Sequence, residues 1–338
     1  MSLKERFFKL GFLYRWIPTA YLLRLAGKKI VYPFYHHILP SEEDQLTRHI
    51  YRTRSELVFR KDLEYFKKHF TSISLKELKE AKINEPSFFL SFDDGLSNFY
   101  HVVAPILKKE KVNATNFINS DFVDNKALFF RFKMNFLIEK FHQNELSFEQ
   151  KEAIEEILGL SSSSIQDFMK ALNKIKNQQN PKMDQLCEIM NIDVQEFLTS
   201  QQPYLNKAQI RELIQQGFEF GAHSKSHPYY SELTLKEQIF ETEESINYLQ
   251  KEFDIQQPAF AFPFYDDGVS QKFFQEFPNT ITFGTAGMKD EASAIKNIQR
   301  IPMEHQSVFS AETIVKGELI FYILKRMLGK HKISRIAT

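Results

Sequence analysis

The chain holds one cysteine, Cys187, in 338 residues. That excludes an internal disulfide and a multi-cysteine zinc module, and it suits a reducing compartment. Neither end offers the roughly 18–20 continuous apolar residues that a membrane span needs. The N-terminus also lacks an apolar core followed by a small-residue cleavage site. The expectation is therefore a cytoplasmic protein, with peripheral attachment at the inner face of the membrane as the variant. No repeat of roughly 20–50 residues is evident, which excludes solenoids and propellers.

An excess of one charge is missing too, since the net charge is only +1. Its distribution is uneven. Residues 1–30 carry seven Lys/Arg against one Glu and residues 316–338 carry six against one, leaving the middle at −10. A nucleic-acid face is thereby excluded for the middle. The two ends are basic and apolar-studded, and each can lie on an anionic lipid surface or pack as an amphipathic helix. The chain reads as a basic N-terminal segment at 1–30, a main unit at 31–315 and a basic C-terminal segment at 316–338. What is abundant is phenylalanine, with 34 copies, which points to aromatic-rich packing.

Along the main unit, "KKIVYPFYHHIL" reads as a short strand entering a polar turn. Phe59, Leu63, Phe66 and Phe70 recur at helical spacing. "SFFLSFDDG" is an apolar run halted by two carboxylates and a glycine, as a buried strand and its exit loop would be. A helix bearing Pro105 and the strand "NATNFINSDFV" follow, and strand–helix–strand order argues for a parallel α/β sheet. Residues 126–205 show helical patterns only, punctuated at Ser161–Ser164 and "NQQNP". They read as a helical insertion. Alternation resumes with a helix ending at Gly217, the strand "FEFGAHS", a long helix over "LTLKEQIFETEESINYLQKEF" and the strand "AFAFPFYDDG".

Three apolar strands thus end in polar groups: Asp93-Asp94, His223 with His227, and Pro263-Phe264. Sites in α/β sheets and barrels form at carboxyl ends of strands, so these loops can converge. Two imidazoles and one carboxylate around a divalent ion leave open positions for water and substrate. A second carboxylate beside them can take a proton from that water. A metalloprotease is disfavoured, because His223-Ser-Lys-Ser-His227 lacks the glutamate of His-Glu-x-x-His enzymes. The same three donors also suit ferrous iron in an oxygenase.

These stretches resemble the polysaccharide deacetylases, carbohydrate esterase family four with its NodB-homology domain. "SFDDG" at 91–95 matches the family's first motif, "HSKSHP" at 223–228 its second, and "FAFPFYDDG" at 260–268 is similar to its third. The likeness runs from about Tyr32 to about Met303, interrupted by the insertion. It implies a distorted (β/α) barrel that removes acetyl groups from a saccharide. It implies Asp94, His223 and His227 as ligands of one divalent ion: zinc first, with cobalt, nickel, iron or manganese as substitutes. Asp93 would be the general base, and the Phe264 backbone N–H an oxyanion donor.

Two departures stand out. Many members carry an arginine in the third motif that braces the base, and Ala261 occupies the matching place. The final Leu-x-His that supplies the acid is not visible in "RIPMEHQSVFSAETIVKGELIFYIL". In circularly permuted exopolysaccharide deacetylases a Tyr-His at an N-terminal strand end takes that part, and "YPFYHHI" resembles it. His36 is then the candidate acid, His37 its close competitor and His305 a more distant one. These departures keep a non-catalytic carbohydrate-binding relative in play.

Overall fold

The computed structural model describes residues 3–40, 46–50, 52–143, 145–161, 164–175, 180–304 and 308–337. Eight short strands form one parallel sheet: β1 (Pro33–Tyr35), β2 (Ser91–Phe92), β3 (Thr115–Ile118), β4 (Glu219–Ala222), β5 (Phe260–Ala261), β6 (Thr282–Gly284), β7 (Asn297–Gln299) and β8 (Ile301–Pro302). Their order is β7-β6-β5-β4-β3-β2-β1-β8, so each strand lies beside its successor in the chain until β8. Arg300 alone separates β7 from β8. Its N–H donates to Gly284 O on β6, while Ile301 N–H donates to Tyr32 O at the foot of β1. One segment therefore bonds to both ends of the row, and the sheet is nearly closed. This is the distorted barrel that the resemblance implies.

The abundant phenylalanine fills it. Phe89 stacks on Phe283 with ring centres 5.2 Å apart, and Phe117 lies 5.3 Å from Phe283. A Cβ on Gly221 would stand 2.4 Å from the Phe117 ring, so β4 needs glycine there to admit it. Helices cover the outside. Glu56–His69 starts at the Ser55 cap and buries Phe59, Leu63 and Phe66, as their spacing predicts. Leu235–Phe253 opens on a Thr234–Glu237 capping box. Helix Ala311–Met327 runs across the expected boundary at 315/316. It packs beside Thr19–Ala26, and both helices contribute to the main core through Leu22, Leu23, Ile314 and Leu319.

Between β3 and β4, ahead of the barrel helix Lys207–Gln215, the described residues of the insertion form five helices: Phe130–His142, Phe148–Leu158, Ile165–Leu172, Asn180–Ile189 and Val194–Gln201. They form a separate core around Phe132, Leu137, Phe168 and Leu186. Asn180 and Pro181 open a helix where a loop was expected; a proline in the first helical turn costs no intrahelical hydrogen bond. The returning chain is tied to the exit of β2, where Ser97 N–H donates to Pro203 O and Leu205 N–H to Gly95 O. The insertion is thus rooted at the carboxyl end of the barrel.

Candidate metal centre and active site

The first motif leaves β2 through a sharp turn in which Asp94 and Gly95 both have left-handed backbone, φ 72 and 65. The second leaves β4 through His223, and Ser224 and His227 are also left-handed. Asn119, just past β3, donates its amide to His223 O, and Ser224 Oγ accepts the His227 N–H at 3.0 Å. Non-glycine residues in this region cost about 1–3 kcal/mol each and concentrate where the surroundings impose them for a purpose.

The turns bring Asp94, His223 and His227 together, all buried. Asp94 Oδ1 lies 3.4 Å from His223 Nε2 and 3.1 Å from His227 Nε2. His223 Nδ1 donates to Ala261 O at 2.8 Å, so its Nε2 presents a lone pair to the carboxylate. A cation placed between these buried groups would satisfy all three donors at once. Asp94 Oδ1 makes no hydrogen bond among the described residues. Ligands about 2.0–2.2 Å from an ion stand roughly 3 Å from one another, so the donor set fits a divalent metal. Burial pushes the Asp94 pKa up, but His227 and His223 outweigh it and hold the carboxyl well below the usual range. Burial lowers the His227 pKa against the pull of Asp94, the direction that ligation by a neutral imidazole favours.

Asp93 faces Arg300. The guanidinium donates Nη1 to Oδ1 and Nη2 to Oδ2, both at 2.7 Å, and Nη1 also reaches Ser91 Oγ. Its carbon lies 4.3 Å from the Phe34 ring centre, inside the barrel. Burial favours a protonated Asp93, but the arginine more than offsets this and the pKa falls below the ordinary carboxylate value. The missing brace of the third motif is thus supplied from the β7–β8 junction. Ala261 leaves the position bare, and Arg300 reaches the same carboxylate from a different strand. An arginine within the apolar stretch "NIQRIPM" was the available signal.

Glu304, two residues past β8, is the second group that the sequence reading missed. It accepts from the His36 backbone N–H at 2.9 Å, from His36 Nδ1 at 2.5 Å and from the His37 N–H at 2.7 Å. The ring contact falls on His36. Burial would lower the His36 pKa, but Glu304, aided by Asp94 and Asp93, raises it to about 9. His305 lies outside the described residues.

Phe264, past β5, has left-handed backbone with φ 55. Its N–H donates to no acceptor among the described residues, while its carbonyl accepts from Thr285. The ring stacks on Tyr229 with centres 3.7 Å apart and meets the His227 ring at 4.7 Å. Phe129 from the root of the insertion lies 4.3 Å from the same imidazole. The insertion therefore walls one side of the metal centre.

The sequence model of the polysaccharide deacetylase family matches residues 80–159 and 169–272, over half of the chain. The chain belongs to the polysaccharide deacetylase family. Membership supports a hydrolase that removes acetyl groups from a carbohydrate. No curated protein matches the sequence. Among solved structures, the Streptococcus pyogenes deacetylase PplD in complex with acetate superposes with a TM-score of 0.54 at 17% identity, covering 86% of this chain and 98% of PplD. A polysaccharide deacetylase from Bacillus cereus gives 0.52 at 16% identity, covering 86% and 69%. A de-N-acetylase from Aggregatibacter actinomycetemcomitans gives 0.51 at 14% identity, covering 83% and 97%. At such identities the likeness shows the fold alone. The deacetylase-family motifs at Asp93-Asp94 and His223–Pro228 both lie within the matched residues.

Proposed function

We propose that the protein is a metal-dependent deacetylase that hydrolyses the N-acetyl group of a sugar in a surface polysaccharide or its precursor. The observation that carries this reading is the donor triad flanked by Asp93 and His36, each clamped by a buried partner of opposite charge. Arg300 holds both Asp93 oxygens and lowers the Asp93 pKa, and Glu304 bonds the His36 ring and raises the His36 pKa. Environments that push two pKa values apart assign the base and the acid.

Asp94, His223 and His227 would hold the ion, with zinc the first candidate. Bound there, a divalent ion supplies Lewis acidity toward a carbonyl and lowers the pKa of water. Asp93 takes the proton from the attacking water, whose oxygen bonds to the acetyl carbon. The Phe264 N–H faces the oxygen that gains negative charge. His36 gives its proton to the sugar nitrogen as the C–N bond breaks, so acetate and a free amine leave. Both Asp93 oxygens already accept from Arg300, which makes this carboxylate a weak base and places the burden on acidified water. A ferrous oxygenase would have no use for the Arg300–Asp93 pair.

The test is acetate release from a panel of N- and O-acetylated saccharides by protein stripped with chelator and then reloaded with zinc, cobalt or manganese. Activity should vanish on stripping and return on loading. Asp93→Asn should keep its metal and lose roughly 10²–10⁴ in turnover. Saccharide binding with no acetate release under any metal would instead make the protein a binding module.

A further inference from the structure

The deacetylase reading leaves the two chain ends unused. Residues 6–30 and 319–337 contain no acidic residue, and the fold brings them side by side. Lys316 Nζ donates to Arg15 O at 2.6 Å and Arg326 Nη1 to Ala26 O at 3.1 Å, so helices Thr19–Ala26 and Ala311–Met327 run parallel. Phe7 of the first helix, Leu3–Lys9, meets Phe321 at 6.2 Å. Helices aligned this way normally turn their large apolar side chains inward. Here Phe12, Leu13, Trp16, Met327 and Leu328 are exposed, Trp16 at 78% and Met327 at 79%. Arg6, Lys9, Arg15, Arg24, Lys29 and Arg326 are exposed among them.

We propose that these paired terminal segments dock the protein on an anionic lipid bilayer. Bulky apolar side chains enter the boundary between headgroups and acyl chains, and arginines and lysines beside them reach the phosphates. The charge argues for this occupant over a second copy of the chain. Two such faces meeting would oppose like charges, whereas anionic lipid complements every one. No helix among the described residues is long and apolar enough to cross a membrane, so the contact is peripheral. The surface also adjoins the catalytic wall. Phe8 packs edge-on against Phe309 at 5.9 Å, and Arg54 joins Phe309 O to Met303 O, next to Glu304. The docked face lies beside the loop that positions His36.

Trp16 is the only tryptophan, so the unmodified protein reports on itself. Vesicles of phosphatidylcholine with an equal part of phosphatidylglycerol should shift its emission to the blue and carry the protein down on centrifugation. Phosphatidylcholine alone should do neither, and high salt should reverse the binding. Each basic side chain near an anionic surface contributes about a fivefold gain in partitioning. Lys9→Glu with Arg15→Glu and Arg24→Glu should therefore lower partitioning at least about a hundredfold, with acetate release from a soluble substrate unchanged. Unmoved emission with either vesicle, equal binding to both, or a dimer in sedimentation velocity that shields Trp16 would each overturn the proposal.

Discussion

Arg300 decides what Asp93 can do. Both nitrogens of one rigid fork hold both oxygens, and the pair is almost fully buried. Removing one partner of such a pair leaves a buried charge uncompensated, at a cost of about 3–5 kcal/mol. Arg300→Ala should therefore unfold at markedly lower denaturant. Arg300→Lys keeps the charge but not the fork. It should fold, retain its metal, and show an acid limb of kcat/KM moved to higher pH because Asp93 regains protons more readily. An unshifted limb would reduce Arg300 to a packing role. His36 gives a stability signature of opposite sign. Its folded pKa of about 9 exceeds the ordinary 6.5, so the folded state binds the proton more tightly. That contribution is complete below about pH 6.5 and fades as pH rises through about 9. In the metal-free protein it should amount to about 3 kcal/mol at most. Chelator-treated wild type should lose stability across this window while His36→Gln stays flat.

At the scale of the element, the loops after β2, β4 and β5 share a device: a residue with left-handed backbone placed against the site. Phe264 separates its two contributions. Glycine adopts φ 55 without strain and keeps the N–H, so Phe264→Gly removes only the ring that stacks on Tyr229 and His227. If the backbone donates to the reacting oxygen, kcat should stay within about tenfold while KM rises. Loss of an oxyanion donor costs about 10²–10³, so a drop of that size in a folded variant would place the function in the ring. The same loops explain what was legible. Asp93-Asp94 and His223–His227 each concentrate their functional groups in one short stretch at a strand end, and such stretches can be read in one dimension. Arg300 and Glu304 act singly, from a segment whose strands are three and two residues long. Strands so short are legible only where an apolar run halts at a cluster of polar groups, as at β2 and β5, and β6, β7 and β8, which lack such a stop, went unread. The insertion's helices were visible from their spacing, but Phe129 reaching His227 depends on how their root folds back over the barrel.

Across the whole molecule, the chain's far end secures the loop of the third motif. Arg335 donates Nε to Glu291 Oε2 at 2.8 Å, Nη2 to Glu291 Oε1 at 2.6 Å and to Asp266 Oδ2, and Nη1 to Asp266 O at 2.9 Å. Asp266 lies two residues past Phe264 and also accepts from Asn297 and Gln299 on β7. One arginine therefore ties the C-terminal strand Lys332–Ile333 to the Phe264 loop and the closing strand of the barrel. Two carboxylates share it, each almost fully buried. Arg335→Met keeps the volume but strands both acids in a low dielectric, which should destabilise the fold by about 3–5 kcal/mol at neutral pH. Acid should restore much of that loss relative to the wild type measured at the same pH, because protonation removes the uncompensated charges. Asp266→Asn in the Arg335→Met background should recover part of the loss at pH 7. Denaturant midpoints for the wild type and these two variants at pH 5 and pH 8 test this. A loss that is the same at both pH values would mean that the tail holds by packing alone.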